Sequence, residues 1–408
     1  MDSPLHVVCV CGGYGFPRGW ATTRRLTLVG LALISAGASY AVLHCGPSPE
    51  PSNVETKGVV DGIAYEYTTG TTRRPAHWLP RMLLYVWGWL VLAVRLRQHK
   101  RAAGNICVYL YNQGNLLGLL TALWCKILKI PVVQEVCEWW PGTRGASAVA
   151  NWMYGGAMFR LATGALVISA AIENNLAAVT RRLGRQPLVL RLPILVDLQR
   201  WRQDRSCRIR EDINKKRHLV WCGDANGYRR DVEFLLRGIS ASRKRGCPYE
   251  LVLVGPCTQD RRDQIISLAR ELEVEDSVVA KGFVQDEDLT SIYRNATALA
   301  LPMWRDDRSM TRFPTKLGEY LASQRPVITC DVGEVGALLK PAQAAYFYEC
   351  GNGDAFAEQL QAIAADPGDA HARAAKGLAI ATHTLDYRNH SDTLYRFFVK
   401  CVERLPGH

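Results

Sequence analysis

Short, unbroken apolar runs alternate along the chain with longer segments that carry an apolar stripe on a helical period. In the first half, LHVVCVCGG, SYAVLHCG, NICVYLYN, IPVVQEVCEWWPG, GALVIS and PLVLRLP read as strands. HLVWCGD, YELVLVGP, SVVAKGF, ATALALPM, PVITCDVG and AAYFYEC repeat the pattern in the second half. Strands with no polar face belong in parallel sheets covered on both sides, and the stripes between them supply the crossover helices. Between the two series lies RWRQDRSCRIREDINKKRH, residues 200–218, which is highly charged and has no apolar stripe. It reads as a linker or an exposed connection. The pattern predicts two doubly wound α/β domains.

Two apolar stretches approach the length of a membrane span. Residues 26–45, LTLVGLALISAGASYAVLHC, are broken at Gly37 and read as helix, turn and strand. The opening residues form a strand ending in glycines, without the charged region and cleavage pattern of a signal peptide. In RMLLYVWGWLVLAVRLRQHKR the apolar part runs from Met82 to Val94. A helix of that length rises only about 20 Å, short of a hydrocarbon core of about 30 Å. The tryptophans, Tyr85 and the basic flank of residues 81–101 suit either a peripheral contact with an anionic membrane or packing on a sheet.

The remaining composition narrows the class. At 408 residues the chain exceeds the size at which one core stops growing. Its formal charge of +12 favours anionic partners. No RNA-recognition signature, zinc-finger spacing or long lysine tail is present, so nucleic acid is not expected. The 13 cysteines lie mostly in apolar runs without CxxC spacing, which points to reduced buried thiols in a cytoplasmic protein rather than disulfides or a zinc site.

Several short motifs could carry chemistry. Gly12, Gly13 and Gly15 follow the first strand, but G-x-G-x-x-G is absent, which disfavours a dinucleotide cofactor. The loop is read either as lining an acceptor-side cleft or as a tight strand-to-helix turn. Gly223 follows a later strand, and Arg229 and Arg230 open the next helix, where a phosphate would be favoured. Gly255, Gly282 and Phe283 follow further strands and could border a nucleotide base. In RFPTKLGEYLASQRPVIT, a helix starting at Pro314 would leave backbone N–H groups unpaired beside Lys316. Glu319 stands one turn further on, placed to meet the same ligand; a solvated ion pair is the alternative.

Taken in order, the Arg-Arg helix after a strand, LVLVGP, KGFVQDEDL and PTKLGEYLASQRPVI resemble the nucleotide-sugar-binding domain of glycosyltransferase family 4. The likeness covers residues 215–340 well and the first half loosely, through IPVVQEVCEWWPG. It implies the GT-B fold: two Rossmann-like doubly wound domains facing an interdomain cleft. The expected boundaries are 1–205 for the acceptor-binding domain, 206–385 for the nucleotide-sugar-binding domain, and 386–408 for a closing helix that returns to the first. It further implies retaining transfer of a sugar from a nucleotide diphosphate sugar to a glycan or lipid-linked acceptor, with no metal cofactor required. Arg230 and Lys316 would hold the diphosphate, Glu319 would bind the ribose hydroxyls, and Thr315 and Leu317 would flank them. The family's E-x7-E pair is broken, since Thr311 stands eight residues before Glu319. Asp306, Asp307 or the loop 310–313 would then meet the sugar. Glu138 is the candidate for orienting or deprotonating the acceptor hydroxyl, with Glu135 second. A GT-B-type nucleotide-sugar epimerase and a non-catalytic nucleotide-sugar-binding scaffold at the membrane are the alternatives.

Overall fold

The computed structural model describes residues 4–111, 116–139, 152, 156–184, 186–203 and 216–404. Trp140, Pro141 and linker residues 204–215 lie outside the described residues. The chain divides into two compact units: one of Met1–Leu195, Thr311–Phe313 and Tyr387–His408, the other of Val196–Met310 and Pro314–Asp386.

The first unit holds β1 (His6–Cys11), β2 (Ser39–His44), β3 (Lys57–Val60), β4 (Ile63–Tyr67), β5 (Ile106–Leu110), β6 (Val132–Val136), β7 (Gly164–Val167) and β8 (Leu188–Arg191). They form one sheet in the order β3-β4-β2-β1-β5-β6-β7-β8. All neighbours are parallel except the β3–β4 hairpin. Its helices are α1 (Ala21–Ser35), α2 (Trp78–Ala102), α3 (Leu116–Ile127), α4 (Met158–Leu161) and α5 (Ala170–Arg182).

The second unit holds β9 (Arg217–Cys222), β10 (Tyr249–Val254), β11 (Val278–Gly282), β12 (Ala298–Leu301), β13 (Val327–Thr329) and β14 (Tyr346–Phe347). Its helices run α6 (Leu198–Gln203), α7 (Arg229–Lys244), α8 (Gln259–Glu271), α9 (Asp286–Arg294), α10 (Asp307–Thr311), α11 (Lys316–Ala322), α12 (Gly333–Leu339), α13 (Gly353–Ala365) and α14 (Pro367–Ile380). The last helix, α15 (Ser391–Glu403), belongs to the first unit. The second sheet is parallel, in the order β11-β10-β9-β12-β13-β14. Its direction of winding reverses between β9 and β12, where doubly wound sheets bind ligands.

The unbroken apolar runs are explained by burial on both faces. Along β1, Val7, Cys9 and Cys11 join a core with Leu26, Val29 and Leu33 of α1 and Leu394 and Phe398 of α15. Val8 and Val10 point the other way, into a core with Leu92 and Leu96 of α2 and Leu119 of α3. Burying each such side chain contributes about 1.5–3 kcal/mol before entropy is subtracted. Twelve cysteines are free thiols among the described residues, and Cys9, Cys11, Cys45, Cys107 and Cys125 are buried.

Helix α2 differs from its sequence reading. It extends for 25 residues, not only over the apolar Met82–Val94 portion, and only Gly88, Leu92 and Leu96 are buried. One side packs into the core of the first unit through Leu92 and Leu96, while most of the rest is exposed. Its last turn is fastened to the start of β1: His6 Nε2 lies 2.9 Å from His99 Nδ1, and the rings stack at 5.1 Å. Burial, then the neighbouring His99, lowers the His6 pKa to about 4. A histidine held neutral in the folded state supports stability above its unfolded pKa of about 6.5, and this support is lost as pH falls toward 4. His6→Gln should therefore flatten the decline in Tm between about pH 6.5 and 4. An unchanged pH profile would show that the pair titrates as it does when unfolded.

Candidate functional site

The second unit gathers most of the sequence candidates at the carboxyl ends of its strands. The Gly223 N–H donates to Val254 O at 2.8 Å, and the Gly255 N–H donates to Gly282 O at 2.8 Å. These bonds tie the ends of β9, β10 and β11 into one glycine ledge. At Gly255, φ is +125°, and an added Cβ would lie 2.1 Å from Gly223 O. Backbone packs on backbone there, so only glycine fits. Phe283 projects from the end of this row and is 61% exposed.

Helix α11 clamps the end of β9 from the other side of the switch point. Lys316 Nζ donates to Cys222 O at 2.5 Å, while the Cys222 N–H donates to the Tyr320 hydroxyl at 3.0 Å. Lys316 and Tyr320 are four residues apart, so they share a helix face. The ammonium also sits 4.8 Å from the Trp221 ring centroid and 6.0 Å from that of Tyr228. Desolvation by burial raises the Tyr320 pKa well above the usual phenol range, leaving its hydroxyl neutral.

The start of α11 differs from expectation. The helix begins at Lys316, not Pro314. The N–H groups of Leu317 and Gly318 donate to Pro314 O and Thr315 O. A tight first turn thus satisfies donors that the sequence reading left for an anion. Thr315 and Glu319 are half-buried, whereas Leu317 is fully buried and serves as the helix's footing.

A second group of cations gathers around α7 and the loop after β12. The Arg230 guanidinium lies 3.6 Å above the Trp304 ring and 3.7 Å from Asp306 Oδ2, and its side chain is 66% exposed. Trp304 is fixed beneath it by donating from Nε1 to Asp231 Oδ1 at 2.7 Å. Arg308 lies 5.0 Å above the Tyr228 ring and donates to its hydroxyl at 3.2 Å. Tyr228 thereby links Lys316 with Arg308, while the neighbouring Arg229 is exposed. Asp306 accepts from the Ser309 N–H at 2.8 Å as a cap of α10, so its carboxylate already has structural partners. Trp221, Tyr228, Trp304, Arg308 and Tyr320 were not singled out from sequence. The aromatic residues beside the glycine and arginine motifs were the available signal.

In the first unit, the loop after β1 is held by hydrogen bonds to neighbouring elements. Tyr67 donates to Phe16 O at 2.6 Å, Thr23 donates to Gly15 O at 2.5 Å, and the Arg18 N–H donates to Asn53 Oδ1 at 2.9 Å. Gly13 lies near Tyr85 of α2, and Gly12 precedes it at the end of β1. Glu138 is half-buried just beyond β6. Glu135 is unsuited to a role on an incoming hydroxyl. It is fully buried, lies 2.8 Å from Arg25 Nη2, and accepts hydrogen bonds from Tyr109 and from Cys137 at 3.2 Å. Among the described residues, no three His, Cys, Asp or Glu side chains gather where they could hold a metal ion.

Comparison with known proteins bears most directly on the second unit. Residues 216–366 match the family model of glycosyl transferases group 1. The segment contains the glycine ledge, both arginines and all of α11. Among solved structures, sucrose-phosphate synthase from Thermosynechococcus elongatus aligns over 97% of this chain and 98% of its own, with a TM-score of 0.72 and 15% identity. The fold is GT-B. A glycosyltransferase from Rickettsia africae aligns over 98% of this chain and 99% of its own, with a TM-score of 0.69 and 11% identity. Anabaena HepE, solved in complex with UDP and glucose, aligns over 98% and 100%, with a TM-score of 0.69 and 14% identity. No curated protein matches this chain in sequence. In GT-B terms the ledge and α11 lie in the second Rossmann-like domain, at its topological switch point.

Proposed function

We propose that the protein is a retaining glycosyltransferase that moves a sugar from a nucleotide diphosphate sugar to a hydroxyl of a glycan or lipid-linked acceptor. One observation carries the reading: α11 holds Lys316 at the end of β9, beside Gly223 and within the segment that matches glycosyl transferases group 1. A diphosphate on the ledge would meet the Lys316 ammonium and the exposed Arg230 guanidinium. Both bear charge that can offset the negative charge growing on the departing diphosphate. They would provide this stabilisation without a divalent metal. Glu319 would bind the ribose hydroxyls and Phe283 would border the base. On the acceptor side, the proposal assigns orientation of the hydroxyl to Glu138. The HepE complex with UDP and glucose supports a uridine donor as the first to test. We place the protein in the cytoplasm, at the inner face of the membrane.

A thermal-shift screen over nucleotide diphosphate sugars, run with a chelator present, tests the donor assignment. A ligand that binds the native state at 100 times its Kd should stabilise it by about 2.7 kcal/mol. One base and sugar should therefore raise Tm selectively, with or without the chelator. No shift with any uridine, guanosine, adenosine or thymidine conjugate would overturn the assignment.

A further inference from the structure

Helix α2 presents a broad apolar face away from its own domain. Trp78, Leu79, Met82, Leu83, Val86, Trp87, Leu90 and Val94 are all exposed. Their spacing of three and four residues places them along one side of the helix. Gly88, Leu92 and Leu96 occupy the opposite side and are buried. The surface continues onto α3, where Leu116, Leu123 and Ile127 are exposed. The two helices meet through Trp89 and Trp124, whose rings lie 5.4 Å apart. A soluble monomer rarely leaves so large a continuous apolar patch uncovered.

Charge surrounds this patch. Arg73 and Arg74 are exposed before α2, Arg97 and Arg101 are exposed in its last turns, and Lys126 and Lys129 are exposed at the end of α3. Aromatic and aliphatic residues within a basic rim match the interface of an anionic bilayer. A second copy of the chain would instead bring two basic rims together, with like-charge repulsion.

We propose that α2 and α3 form a peripheral docking surface for an anionic lipid bilayer, with α2 lying in the plane of the interface. By length and composition α2 could cross a membrane. Its buried face is fastened to the domain, however. The Thr68 hydroxyl donates to Gly88 O at 2.8 Å, and a Cβ on Gly88 would come within 2.9 Å of Cys45 O. Arg95 lies 2.7 Å from Glu66 of β4, and His99 stacks on His6. A helix attached along one side can sink the other into the headgroup region, but it cannot surround itself with lipid. This placement rests on the proposed function only in suggesting how a lipid-linked acceptor would be met.

Sedimentation of the whole chain with phosphatidylcholine vesicles, with and without roughly one-third phosphatidylglycerol, tests the proposal. Binding to the anionic vesicles should be at least about tenfold tighter, and added salt should weaken it. A Leu79→Ser, Leu83→Ser, Trp87→Ser variant should lose binding while retaining its Tm. Arg97→Glu with Arg101→Glu should lose the preference for anionic lipid. Equal binding by wild type and the triple variant, or no vesicle binding at all, would overturn the docking surface. Resistance of the bound protein to alkaline extraction would overturn the in-plane arrangement. A dimer by light scattering that the triple variant converts to monomer, without vesicle binding, would assign the face to a second copy. Donor-dependent thermal shifts are independent of each outcome, so failure here leaves the donor reading standing.

Discussion

Lys316→Ala should lower kcat/KM for sugar transfer by about 10²–10³, the loss typical when one preorganised group facing developing negative charge is removed. The residue belongs to the clamp on β9, so its removal also deletes the hydrogen bond to Cys222 O. That bond, made by a charged donor, is worth about 1.5–3 kcal/mol at most. Tyr320 still holds the same residue through its N–H. The unit should therefore remain folded, with Tm lower by only several degrees. Glu319→Ala should behave differently. A carboxylate that binds ribose hydroxyls does so equally before and during bond breaking, so KM should rise about tenfold or more with kcat nearly unchanged. Steady-state kinetics and calorimetry with the donor from the thermal screen would check both variants. Unchanged donor affinity and unchanged kcat/KM in both would remove α11 from the site.

Strands buried on both faces were easy to read, because VVCVC and LVLV have no polar side to place in water. The hairpin β3–β4 escaped the strand reading even though Asp61-Gly62 is a strong turn signal. The structure places these residues at φ values of 51° and 77°, as a two-residue hairpin turn requires. The flanking strands are short, with β3 at the sheet edge and β4 next to it, so their apolar pattern is weak. For α2, composition revealed an apolar helix but not which face turns inward. Gly88 marks that face only once the backbone of Cys45 lies against it. In the candidate site, Gly223 and Lys316 could be picked out by type and position. Their meeting depends on β9 and β12 being neighbours, which no local pattern states. The stacking of Arg230 on Trp304, 74 positions further along the chain, likewise emerges only from the fold.

Glu135 was visible as an acid inside an apolar strand, and its role follows from a partner 110 residues earlier. Arg25 and Glu135 are 1% and 0% exposed and lie 2.8 Å apart. Arg25 also donates to Leu192 O at 3.1 Å and to Pro193 O, joining α1 and β6 to the chain after β8. Burial would pull the Arg25 guanidinium pKa down, but the neighbouring Glu135 leaves it raised, so the guanidinium remains charged. Removing one partner strands the other in the core. Arg25→Met or Glu135→Leu should each destabilise the first unit by about 3–5 kcal/mol. The pair Arg25→Met with Glu135→Leu should recover most of that loss, because a buried ion pair contributes little over packed apolar groups of similar volume. Urea unfolding of the four proteins in a double-mutant cycle measures both effects. The same cycle separates this role from catalysis. If Glu135 were instead the base acting on the acceptor, Glu135→Leu would keep its stability and lose its rate, and adding Arg25→Met would not restore that rate. The buried pair requires the reverse: a large fall in stability for each single variant, its recovery in the double variant, and donor binding unchanged throughout, because the donor site is proposed for the other unit.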